Sequence, residues 1–122
     1  MYRLMPGAIA YSKDDIYISD LQSNGLYIVE DMNFQNARLV CCFDGEKAII
    51  RDLFTSAVRI DTDVLWIPHS ASNLYLHNTK TDCLDKVKTP KDLVCGEGAF
   101  RTAFKSEKGV YLLGYCDSDI WI

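Results

Sequence analysis

The sequence predicts an all-β fold in which one antiparallel unit is written three times. Three observations carry this. Aliphatic–aromatic–aliphatic triplets recur in pairs: "IYI" (Ile16–Ile18) with "LYI" (Leu26–Ile28), "LWI" (Leu65–Ile67) with "LYL" (Leu74–Leu76), and "VYL" (Val110–Leu112) with "IWI" (Ile120–Ile122). Upstream of each pair stands a small residue followed by a hydrophobic one: Ala8-Ile9, Ala57-Val58 and Ala103-Phe104. By count, these alanines are 49 and 46 residues apart. Period-two alternation of β-branched and aromatic residues between turn residues is the signature of a strand.

The elements of a unit follow in order. The first strand starts at the alanine, where "LFTSAV" (Leu53–Val58) and "AFRTAF" (Ala99–Phe104) align residue for residue and "LMPGAI" (Leu4–Ile9) fits the same frame. An acidic turn follows: Ser12–Asp15, Asp61–Asp63 or Ser106–Gly109. The second strand is the first triplet. A polar loop ending in Ser-Asn or Ser-Asp sets the next turn, because these short side chains bond to the backbone and tolerate left-handed geometry. The third strand is the second triplet. The central aromatics of each pair are 10, 9 and 10 residues apart by count, Tyr17 to Tyr27, Trp66 to Tyr75 and Tyr111 to Trp121. A fourth, outer strand is predicted at Ala37–Phe43 and at Cys83–Thr89. Pro6, Pro68 and Pro90 all fall outside the triplets, where a missing N–H does least harm. The units are 1–49, 50–97 and 98–122, the last without its outer strand.

Four antiparallel strands in about 45 residues resemble a blade of the kelch, NHL and WD-repeat β-propellers. The resemblance spans nearly the whole chain. It names an architecture and no single family, because the paired-glycine kelch signature and the Gly-His…Trp-Asp pattern are both missing. It implies a partial β-propeller of about 2.75 blades, with binding loops at one face or around a central channel. A β-sandwich or small barrel of duplicated hairpins would carry similar triplets, and the regular period favours the blade. The third unit stops at its third strand. The expectation is a piece of a longer propeller, or a homo-oligomer in which two copies complete about six blades.

Composition narrows the role. The 122-residue chain is 48% hydrophobic and 25% charged, with a net charge of -4. That balance argues against nucleic acid or an anionic membrane as the main partner, since both select a basic face. No apolar run approaches the roughly 18 residues of a membrane span, and no signal-peptide h-region opens the sequence. Five cysteines at irregular spacings read as buried free thiols, hence a reducing, cytoplasmic setting.

Each chemical candidate has a plainer reading beside it. His69, His77 and Cys83 match no standard zinc spacing. Adjacent Cys41 and Cys42 point to opposite faces of a strand, so one faces the core. Cys116 is the most exposed thiol expected, but its own unit contains no histidine base. Acidic residues recur in every hairpin turn (Asp14, Asp15, Asp61, Asp63, Glu107), whereas a glycosidase needs a unique pair. Trp66, Tyr75 and Trp121 read as core rather than as sugar platforms. The loops between second and third strands, "SDLQSN", "PHSASN" and "GYCDSD", have similar ends and different middles. A constant frame with variable loops is how a scaffold carries recognition. Their residues Asp20, Gln22, His69, Asn73, Tyr115 and Asp117 form the predicted ligand-binding set. The expected function is a non-catalytic binding module for a protein or carbohydrate, without cofactor or metal. The alternative is part of a propeller-type enzyme acting on glycans, a hydrolase or lyase.

Overall fold

The computed structural model describes residues 6–12, 15–30, 36–46, 53–89, 95, 100–114 and 120–121. Eleven strands are found there: β1 (Pro6–Ser12), β2 (Asp15–Asp20), β3 (Gly25–Val29), β4 (Ala37–Cys42), β5 (Phe54–Ile60), β6 (Asp63–Pro68), β7 (Tyr75–Asn78), β8 (Leu84–Lys86), β9 (Phe100–Ser106), β10 (Gly109–Gly114) and β11 (Ile120–Trp121). They form three antiparallel meanders, β1-β2-β3-β4, β5-β6-β7-β8 and β9-β10-β11. The fold is all-β, as the triplets predict. Among the described residues there is no helix and no sheet that closes into a barrel. No helix is long and apolar enough to cross a membrane.

The hairpins between the first two strands of each sheet fix the register. Ser12 pairs with Asp15, Ile60 with Asp63, and Ser106 with Gly109. Asp61 takes a φ of 54° and Gly109 a φ of 149°, so the acidic turns do conformational work. Each first strand also carries one extra residue near its start. Pro6 to Ile9 faces Asp20 to Ile18, Phe54 to Ser56 faces Pro68 to Ile67, and Phe100 to Thr102 faces Gly114 to Leu113. The bulge thus falls at the corresponding place in all three sheets.

Counted from these hairpins, Tyr17, Leu65 and Tyr111 are equivalent, and so are Ile18, Trp66 and Leu112. The second-strand triplet of the middle unit is therefore Val64–Trp66, one residue earlier than the predicted Leu65–Ile67. In the first strand, Ile9 rather than Ala8 matches Ala57 and Ala103. A slip of one residue exchanges the faces of a strand, so each correction decides what a side chain packs against.

The middle sheet is packed on both faces. Val64, Trp66 and Tyr75 join Ala8, Ala10, Tyr17 and Leu26 of the first sheet in one cluster, with Phe43 and Phe54 at its end. Leu65, Ile67, Val58 and Leu74 join Phe100 and Leu112 of the third sheet in another. Neighbours along β6 thus serve different interfaces, and Val64 to Pro68 are all buried. The first strands lie side by side, β1 against β5 and β5 against β9. The outer strand β8 is shorter than the predicted Cys83–Thr89 and carries Asp85 and Lys86, charges that discourage edge pairing.

Candidate functional site

The loops of interest sit where each second strand ends, beside the bulged start of each first strand. The turn Phe43–Glu46, which leads out of the first sheet, draws two of them together. Glu46 N–H donates to the Phe43 carbonyl at 3.1 Å. Gly45, with a φ of 84°, supplies the left-handed residue this turn needs. On one side the turn grips the β2–β3 loop. Phe43 N–H donates to the Asn24 carbonyl at 2.8 Å, and Asn24 Nδ2 donates to the carbonyls of Phe43 and Glu46 at 3.3 and 3.2 Å. On the other side it grips the β6–β7 loop. Ser72 N–H donates to both carboxylate oxygens of Glu46, at 2.8 and 3.1 Å. The Tyr75 hydroxyl reaches the Asp44 carbonyl at 2.7 Å and Glu46 Oε1 at 3.0 Å. Its single proton is shared between two acceptors.

Glu46 is buried, and these bonds satisfy a carboxylate that would otherwise be costly to bury. Burial, then the Glu46 charge and the hydrogen bond to it, push the Tyr75 phenol well above its ordinary value, while a hydrogen bond with Asn73 pulls the other way. The phenol stays protonated and acts as a donor. Burial, then the same Glu46 charge, raises the Cys95 thiol. Burial, then Asp82, pushes Cys41 up to about 11. Both thiols are held in the un-ionised form, which is a poor nucleophile.

The predicted ligand set divides as follows. Asp20 is buried at the end of β2 and accepts from Ser23 Oγ at 2.8 Å, a turn-setting role. Gln22 is exposed. His69 is half-buried, with its backbone N–H held by the Leu53 carbonyl at 2.8 Å, and Ala71 N–H donates to the same oxygen at 3.0 Å. Asn73 is half-buried against Tyr75. Gln22, His69 and Asn73 therefore stand on two loops tied to one end of the sheets. Tyr115, Asp117 and Cys116 lie outside the described residues. The Trp121 side chain does too, while Trp66 and Tyr75 are core as predicted.

Sequence reasoning missed Asp44 and Glu46. The signal was present as "FDGE", an Asp-Gly turn followed by a carboxylate. The thiols also differ from expectation. Cys41, Cys42, Cys83 and Cys95 are free, but Cys42 and Cys83 are exposed, because each sits at a sheet margin. Cys41 packs inward beside the outward Cys42, as strand alternation requires.

His77 is the buried histidine of the middle sheet. Its Nε2 donates to Asp82 Oδ1 at 3.0 Å, since a carboxylate only accepts, and Tyr17 meets its ring edge-on at 4.9 Å. Asp82 reaches it from the β7–β8 turn, where it takes a φ of 58°. Among the described residues no cluster of histidine, cysteine and carboxylate could hold a metal ion. No protein-family model matches the chain, and no curated protein or solved structure is similar to it.

Proposed function

We propose that the chain is a segment of a β-propeller, with residues 1–49, 50–97 and 98–122 as successive blades, acting as a non-catalytic binding module. The observation that carries the reading is the convergence of the β2–β3 and β6–β7 loops on the Phe43–Glu46 turn. One buried frame fixes the ends of both loops and leaves their differing middles, around Gln22 and His69, for recognition. The adjacency of β1, β5 and β9 agrees with first strands lining a central axis. At this end the carboxylates of Asp20 and Glu46 accept hydrogen bonds that hold turns. The ligand is a peptide or a carbohydrate, and the thiols of the chain suit a reducing cytoplasm.

The test is to probe the folded chain against peptide and oligosaccharide arrays, then repeat with Gln22→Ala and His69→Ala. Binding that falls about tenfold or more in either variant, but not in Arg38→Ala on the outer strand β4, supports the reading; tenfold corresponds to ~1.4 kcal/mol. Binding indifferent to both loops, or hydrolysis of nitrophenyl glycosides by the wild type, overturns it.

A further inference from the structure

Both terminal sheets carry exposed apolar side chains on the face turned away from the middle sheet. On the first sheet, away from the middle one, Ile9, Tyr11 and Leu39 are 42%, 65% and 49% exposed around the buried Ile18. On the third sheet, again away from the middle one, Phe104 is 49% exposed and stacks on its ladder partner Tyr111, centroids 5.0 Å apart and 14° from parallel. Isolated exposed apolar residues are ordinary, but rows of them on one pleated face are not.

What covers such faces is already visible twice within the chain. Ala10, Val58 and Phe104 are equivalent when counted from the hairpins, and so are Ile9, Ala57 and Ala103. Ala10 shares a cluster with Ala57, and Val58 shares the next cluster with Ala103. The third member of the series would set Phe104 against Ile9. The same holds for the second strands. Tyr17 shares a cluster with Val64 and Trp66, and Leu65 shares one with Val110 and Leu112, which leaves Tyr111 for the half-buried Ile16.

We infer that a second copy of this chain docks head to tail, its first sheet's outward face covering the third sheet's outward face. Two such contacts close a two-fold ring of six sheets. The contact continues the interface that joins sheet one to sheet two and sheet two to sheet three, and it rests on the propeller reading above. It is heterologous, so it joins two different surfaces and closes only if the rotation between sheets allows.

Light scattering behind a sizing column tests it on three samples. The wild type is expected at twice the chain mass. Ile9→Glu and Phe104→Glu, each damaging a different face, are each expected at the chain mass. Mixed in equal amounts at the highest soluble concentration, the two variants are expected to regain the doubled mass, because each keeps the face that the other has lost. A contact between identical faces would instead leave one variant dimeric and gain nothing on mixing, and that result overturns the inference. A monomeric wild type overturns it as well. If a glutamate variant loses its β-sheet circular dichroism, Ile9→Asn and Phe104→Asn replace the pair. A monomeric wild type with intact sheet signal defeats only the docking. A wild type without that signal defeats the propeller reading itself.

Discussion

His77 shows how one residue ties pH to the joint between two sheets. It lies on β7 against Tyr17 of β2, fully buried, and its Nδ1 finds no partner among the described residues. Burial depresses its basicity; the hydrogen bond and charge of Asp82, and the charge of Asp63, oppose that without overcoming it. The ring is therefore neutral when folded and takes up a proton at its ordinary 6.5 when unfolded. Below 6.5 the unfolded chain binds more protons, so this contribution to stability is present above that pH and is lost as pH falls through the depressed folded value. The urea midpoint should drop between pH 7 and pH 5. In His77→Phe, which keeps the ring contact with Tyr17, it should drop less. Asp82 is 44% exposed on its side chain and can turn to water in that variant. Equal slopes in the two proteins would show that His77 is not the group responsible.

At the scale of the element, β6 is the informative strand. A strand with one wet face alternates buried and exposed, whereas Val64, Leu65, Trp66 and Ile67 are all buried, alternately against the first and third sheets. Truncation on either face should therefore destabilise the chain. Trp66→Ala is expected to cost about 3–5 kcal/mol and Ile67→Ala about 2–5 kcal/mol. Urea unfolding measures both, and a near-neutral result for either would mean that one face of β6 is not packed. Strand positions were legible because alternation and turn chemistry are local signals. Register was only half legible. The spacings of 10, 9 and 10 between central aromatics already contained the one-residue slip, since Leu65 to Tyr75 restores 10. Trp66 hid it: two buried faces let the large aromatic move to the neighbouring position without breaking the apolar pattern. The loops were legible as loops, but the Glu46 bonds that join two of them span 22 residues or more. No local pattern reports a partner that distant.

For the molecule as a whole, the packing is a row. The first sheet meets the second and the second meets the third, and among the described residues no packed cluster joins the first to the third. Such an array approximates a sum of unit stabilities and nearest-neighbour interfaces. The two interfaces differ in kind. The first is reinforced by the aromatic contacts of Phe43 with Phe54, Tyr75 and Trp66, with centroids 4.4, 5.1 and 5.8 Å apart, and by the Glu46 bonds to the β6–β7 loop. The second rests on aliphatic residues with Phe100. Opening should therefore begin at the third sheet, because among the described residues less holds it to the row. Native-state hydrogen exchange should find the slowest amides in β2, β3, β6 and β7 and faster ones in β9 and β10. Leu112→Ala should accelerate β9 and β10 while leaving β2 and β3 near their wild-type rates. Phe54→Ala should accelerate the first and second sheets together. Uniform acceleration of all three sheets by Leu112→Ala would mean that the row opens as a single cooperative body, with the third sheet as firmly fixed as the first.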